Sequence, residues 1–492
     1  MQEDERSPPV RLLYADELGQ LKVVQTADGA QLGTAAVAAS WGEPDKQQAI
    51  DCIALGSTGG VEDTATAVLA VARCSGAIEL LSPLTGAPLG SIPPAAPAAS
   101  GGSKQQQEDA VRVRGLHLIW GSDGAGNGSS SSGSSLPAVL SVTQSGTARV
   151  HTAAAAGQQP PDGGSAAPAA WEQQRSWQVP PQVCCTAYDP AIGRLAVGCE
   201  GAELRLFDAA SGELVFTFKG GKPNKVGLVD KPWNTAIAFL PPTSTSSGGD
   251  GNGNAGNSGS RDAAGAAGTR LLVGTNYHKV RLYDSAAGKR PQMEMSWGEG
   301  RITALAVEPD GQRCWVGNGQ GQLEVLDLGT RRFSGAIKGL AGSARALAVH
   351  PGGEVLASVC LDRYLRLHSC ATRQLLAKVY CKTLPTGVAF CPTDASMLPP
   401  REQPAAGGEG VEERRRRKKD QKRERRRSHA AAEEAEEGSG DDGMAAAADQ
   451  DSDDEQQIGS EEEAEEQQER RRPKRSKQHR SQGGGRRQQR RQ

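Results

Sequence analysis

Aromatic residues are scarce in this 492-residue chain, at 4%, and they are spread thinly. That argues against a continuous aromatic platform on which successive bases could stack. Nowhere do 18 apolar residues run together, which removes a membrane-spanning helix, and the opening MQEDERSPP lacks the apolar stretch of a secretory signal. Neither secretion nor a membrane partner is expected. The ten cysteines contain no C-x-x-C pair. With Cys52, Cys74, Cys199, Cys314 and Cys360 at strand-like positions, they read as small buried apolar residues in a reducing compartment, not as a zinc or disulfide framework.

Catalytic groupings are missing as well. GNGQGQ (317–322) superficially resembles a phosphate-cradling glycine loop, but its last position is Gln322 and it joins two strand-like segments instead of opening a helix. Among the seven histidines no pair has ligand spacing on one helix. His278, in TNYHKVRLYD, has no Ser, Cys or carboxylate placed by sequence to work with it as a general base. The chain is read as non-enzymatic, with no cofactor and no metal.

What the sequence has is repetition. Seven segments open with a turn residue and continue in apolar-polar alternation: GQLKVV from Gly19, GAIELL from Gly76, GTARVH from Gly146, GAELRLFD from Gly201, HKVRLYD from His278, GQLEVLD from Gly321 and RYLRLHS from Arg363. Strand-like runs ending at Pro309, Pro351 and Pro392 recur at a step of about 42 residues, and further runs such as RLAVGC (194–199) and LLAKVY (375–380) flank the seven segments. Four short strands per unit, bounded by Gly, Asp and Pro, predict an all-β fold: a seven-bladed WD-repeat β-propeller. The first unit, RLLYADELGQLKVVQ (11–25), lacks a preceding strand, whereas GVAFCP (387–392) is a strand with no blade after it. Pairing the two would close the ring and remove its exposed edges. Asp208, Asp284 and Asp327 stand where the Asp of a WD dipeptide ends a strand and are read as turn-fixing groups.

The propeller is expected over 10–395, after a disordered 1–9. Low-complexity loop insertions are expected at 93–109, 121–136, 154–170 and 242–268, and a disordered tail over 396–492. In that tail a formal charge near zero hides a segregation into basic, acidic and basic blocks. Glu433 to Glu469 holds seventeen acidic residues and no Lys or Arg, and the final block from Arg470 holds eleven basic residues and no acid. The clusters Arg414, Arg415, Arg416, Arg417, Lys418, Lys419 and Arg470, Arg471, Arg472, Lys474, Arg475 are candidate nuclear-import or RNA-binding signals.

The runs GTNYHKVRLYD (274–284), ITALAVEPDG (302–311), VGNGQGQLEVLDL (316–328), KGLAGSARALAVHP (338–351) and LASVCLDRYLRLH (356–368) resemble the WD repeat-containing protein 74 family. KPWNTAIAFLP (231–241) fits less closely, and the first 180 residues weakly. The resemblance implies a nuclear and nucleolar scaffold for large-subunit (60S) precursor particles, and a monomer is expected. It further implies support of rRNA processing, release by an AAA-type ATPase and a connection with the RNA exosome. A chromatin or ubiquitin-ligase adaptor propeller that binds peptides is the alternative reading.

Function in a rigid ring resides in its loops. The candidate partner-binding face is formed by the connections before each blade's first strand. It comprises Lys338, Leu340, Ser343 and Arg345 in KGLAGSAR, and Lys219, Lys222, Lys225 and Trp233 in KGGKPNKVGLVDKPW. Lys279, Arg281, Arg363 and Arg366 alternate along strands and are read as solvent-facing; Asp362 is read as fixing the turn before its strand.

Overall fold

The computed structural model describes residues 10–26, 35–59, 63–95, 111–120, 136–154, 171–223, 227, 229–241 and 268–391. Most of each expected insertion, all of the tail with its eleven candidate cations, and Lys225 lie outside these residues. Among the described residues the chain forms seven four-stranded antiparallel sheets, so the seven-bladed propeller is borne out. No helix among them is long and apolar enough to cross a membrane.

From the axis outward, blade 1 consists of Pro385–Phe390, Arg11–Asp16, Leu21–Gln25 and Ala36–Trp41. Blades 2 to 7 follow in chain order, with innermost strands Ile50–Gly56, Val113–Ile119, Val183–Asp189, Asn234–Phe239, Ile302–Val307 and Ala344–Val349. Each innermost strand packs against the next, and that of blade 7 returns to Pro385–Phe390. The closure expected from sequence is realised: Leu12 pairs with Phe390 and Tyr14 with Val388. Every residue of Arg11–Asp16 is buried.

The core lies between blades. Trp315, Leu323 and Ile337 of blade 6 pack with Leu356 of blade 7, and Leu13, Leu21 and Val23 of blade 1 pack with Leu69 and Val71 of blade 2. Packing at this density needs small residues where blades touch. A Cβ on Gly274 would lie 2.4 Å from Ile302 of the next blade, and one on Gly317 would lie 2.8 Å from Ala344. The Val-Gly pair in RLAVGC, RLLVGT and RCWVGN therefore records where the following blade presses in.

The seven turn residues read from the sequence share one conformation. Gly19, Gly76, Gly146, Gly201, His278, Gly321 and Arg363 all have positive φ, the last at 62°. This left-handed bend suits glycine and strains the two residues that have a side chain. Asp208, Asp284 and Asp327 fix turns as expected: their carboxylates accept from the backbone N–H of Ser211 (2.7 Å), Ala286 (2.9 Å) and Thr330 (2.6 Å). All ten cysteines are free; Cys199, Cys314 and Cys360 are buried, Cys52 and Cys74 half-buried.

Candidate functional site

Three connections meet at one end of blade 7. Asp362 accepts from the Ala341 backbone N–H at 3.1 Å, Leu361 donates its N–H to the Ser343 carbonyl at 3.0 Å, and Cys381 donates to the Arg363 carbonyl at 2.8 Å. These bonds lock 338–343, 361–363 and the end of the outer strand Leu375–Tyr380 into one surface. Lys338, Arg363 and Lys378 are exposed on these elements, Lys382 just after the outer strand and Arg345 on the innermost strand Ala344–Val349, and among the described residues none forms an ion pair.

Two aromatic rings lie beside Lys378 and Arg363. Tyr364 and Tyr380 are direct cross-strand partners with ring centroids 5.2 Å apart. Lys378 Nζ lies 4.0 Å from the Tyr364 ring centre, and the Arg363 guanidinium 6.0 Å from that of Tyr380. Both are within the range in which a ring quadrupole attracts a cation. Tyr380 is 49% exposed. A flat ring edged by unpaired cations suits an anionic, stackable surface such as single-stranded RNA. Sequence reasoning missed this pair because the tyrosines meet only once the register of the two strands is known.

The four predicted residues of this segment part company. Arg345 lies in the innermost strand, at a bulge between Ala344 and Ala346. Every blade repeats that bulge, and a bulge re-aims the extra side chain. At the equivalent positions Arg114 donates to Gln144 Oε1 (2.9 Å), Asp51 pairs with Arg112 (2.6 Å) and Thr235 donates to the Ile302 carbonyl (2.6 Å). Arg345 is exposed and has no such partner. Lys338 and Leu340 instead line a cleft of about 350 Å³ together with Trp297, Glu324 and Ile337. There Trp297 Nε1 donates to Glu324 Oε2 at 2.7 Å. Ser343 is buried and holds the 361 turn through its carbonyl.

Lys219, Lys222 and Trp233 are not brought to this surface. The 219–221 segment runs along the flank of blade 5, where Lys219 N donates to the Lys289 carbonyl (2.7 Å) and Arg290 donates to the Gly221 carbonyl (3.0 Å). Lys219 and Lys222 are exposed there. Trp233 is half-buried and forms a β-bridge with Glu200.

The solvent-facing reading of the strand cations needs correction. Arg281 is buried, bonded to Glu294 at 2.7 Å and beside Asp230 at 3.5 Å. Lys279 joins the same network at 2.5 Å from Asp230, and that hydrogen bond raises its pKa above the ordinary lysine value. Arg366 is 4% exposed and contacts Asp362 at 2.5 Å. Burial alone would raise the Asp362 carboxyl, but hydrogen bonds from Arg366, Ala341 N and Tyr364 N outweigh it and hold the pKa below the usual carboxylate range. Asp362 thus fixes its turn, as expected, and also neutralises a buried cation. Arg363, by contrast, is exposed as expected.

No family model matches the chain. It is 37% identical over 210 residues to human WD repeat-containing protein 74, covering 42% of this chain and 48% of that protein. The bovine protein of the same name matches at 35% over 210 residues with the same coverage. Ribosome biogenesis protein nsa1 of Schizosaccharomyces pombe is 26% identical over 130 residues, 26% of this chain and 33% of that protein. The chain spans about half the length of the WD repeat-containing protein 74 relatives it matches.

Proposed function

With the likeness to WD repeat-containing protein 74 as the premise, we propose that this chain is a non-enzymatic ribosome-biogenesis factor. Its propeller is a scaffold that docks on precursor particles of the large (60S) subunit in the nucleolus and supports rRNA processing. The observation that carries this reading is the surface of blade 7, where Lys378 and Arg363, exposed and without ion pairs among the described residues, flank Tyr364 and Tyr380. Phosphate would be drawn by the cations, and an unpaired base would stack on the exposed ring. Proteins on the particle would occupy the cleft beside Lys338 and Leu340. Release by an AAA-type ATPase and a link to the RNA exosome follow from the family likeness alone. The basic clusters at 414–419 and 470–475 would serve nuclear import and add salt-sensitive RNA contacts.

The test is affinity purification of the full chain with sedimentation of the associated RNA. Large-subunit precursor RNA is expected with the wild type. Lys338→Glu with Arg345→Glu should abolish cosedimentation, and Tyr380→Ala should weaken it more than Tyr380→Phe. Recovery of histones or a ubiquitin-ligase scaffold in place of precursor RNA would overturn the reading in favour of the adaptor alternative.

A further inference from the structure

In six of the seven blades the residue three positions after the left-handed turn is charged and lies on the third strand: Lys22, Glu79, Arg149, Arg281, Glu324 and Arg366. Five of these have a partner of opposite charge or a hydrogen-bond donor. Lys22 meets Asp16 (2.8 Å), Glu79 meets Arg73 (2.7 Å), Arg281 meets Glu294, Glu324 accepts from Trp297, and Arg366 meets Asp362. Arg149 of blade 3 has neither hydrogen bond nor ion pair among the described residues. Its backbone register matches that of Arg366: each faces a serine on the second strand, Ser141 or Ser358. The difference lies one residue before the turn glycine or arginine, where blade 7 has Asp362 and blade 3 has Ser145.

Arg149 is half-buried in a pocket of about 260 Å³ between blades 2 and 3. Ile78, Ile92, Pro93, Val113 and Trp171 give that pocket apolar walls, and among the described residues no carboxylate lines it. Trp171 and a further lining residue, His151, each carry a buried ring nitrogen with no partner, and His151 is about nine-tenths buried. Burial lowers the pKa of Arg149, as it does for a cation with no nearby counter-charge. The space is built deliberately: a Cβ on Gly90 would lie 2.3 Å from Trp171 Nε1, so glycine is what lets the indole form the wall.

We propose that this pocket is a receptor for an acidic side chain, Asp or Glu, presented by an extended segment of a partner protein with apolar residues beside it. A carboxylate is the group that sister blades place against the same arginine, and a planar guanidinium binds it through two parallel hydrogen bonds. A phosphate-bearing strand is disfavoured because Arg149 is the one Lys or Arg among the described lining residues, and a nucleic-acid backbone is held by several such cations. The site lies on other blades than the cation–tyrosine surface and does not depend on the function proposed for it.

The test uses arrayed ten-residue peptides with one central Asp or Glu flanked by Leu, Pro or Phe, each with an Asn or Gln twin, followed by fluorescence anisotropy on the full chain. The expected result is a set of peptides bound at least tenfold more tightly than their amide twins. Arg149→Met should erase that discrimination without lowering the thermal midpoint. Ser145→Asp should supply an internal carboxylate in the manner of Asp362, blocking the peptides while leaving the fold intact. If Arg149→Met fails to fold, Arg149→Lys should keep some binding with reduced preference for the acid. The proposal falls if no peptide shows an acid-over-amide preference that depends on Arg149. It falls equally if an RNA oligonucleotide or inorganic phosphate competes through Arg149 more strongly than any acidic peptide.

Discussion

Blades 3 and 7 place an arginine at the same register of the same strand and surround it differently. Around Arg366 the local sequence LDRY supplies Asp362, four residues away, so the cation is buried and matched within its own turn. Around Arg149 the equivalent QSGT supplies Ser145, which bonds to Thr143 Oγ1 at 2.9 Å, and the guanidinium is left facing a pocket. One repeat uses the charge to hold itself together, whereas the other leaves it without a counter-charge among the described residues. In a repeat protein, then, a site is found by asking which copy fails to satisfy a group that its siblings satisfy.

The comparison can be broken most severely at Arg366. Arg366→Met leaves the Asp362 carboxylate buried without its counter-ion, and breaking such a pair costs about 3–5 kcal/mol. Urea denaturation should show that loss, and a change below about 1 kcal/mol would mean that the pair is not structural. Acidification is the next largest effect. Burial, reinforced by nearby Arg366, pushes His368 down from 6.5 to about 4, so the folded state keeps it neutral where the unfolded chain takes up a proton. Its contribution is therefore complete above about pH 6.5 and is lost as pH falls towards 4, by at most about 3 kcal/mol. Asp362, held below its usual pKa, adds a further loss only below about pH 4. Thermal midpoints measured from pH 7 to pH 4 should fall, and a flat profile would contradict the neutral buried His368.

Two smaller effects sharpen the contrast. Arg363→Gly relieves a positive-φ residue and should raise stability by about 1 kcal/mol, while weakening binding of a short RNA oligonucleotide measured by anisotropy. A gain in stability with unchanged RNA binding would detach Arg363 from the tyrosine surface. Arg149→Met should change stability by no more than about 0.5 kcal/mol in either direction, because no partner is left behind. A loss as large as that at Arg366 would mean that blade 3 satisfies its arginine after all.

The architecture was largely legible because its signals are local. Turn glycines at each repeat, the Asp208, Asp284 and Asp327 turns, and the unpaired strands at 11–25 and 387–392 need only short spacing or a count of strands. The side-chain contacts were less legible because they join segments far apart in sequence. Asp230 reaches Lys279 across 49 residues, and Trp171 meets Gly90 across blades. Even Asp362 and Arg366, four apart, were read separately, because alternation along a strand gives a face but not what covers it. KGLAGSAR likewise looked like one loop, yet a bulge carries Arg345 onto the innermost strand while Lys338 stays at the cleft.

The closure of blade 1 has a consequence for how the chain must come into being. Arg11–Asp16 is made early, whereas its partner Pro385–Phe390 is made roughly 370 residues later. At about 5–20 residues per second, synthesis leaves that apolar strand with an open edge for roughly 20–75 s. A contact of such sequence separation carries a large loop-closure entropy and forms late. The nascent chain therefore emerges with a sticky margin, and its protection during translation is as much a requirement of this fold as any contact in the finished ring.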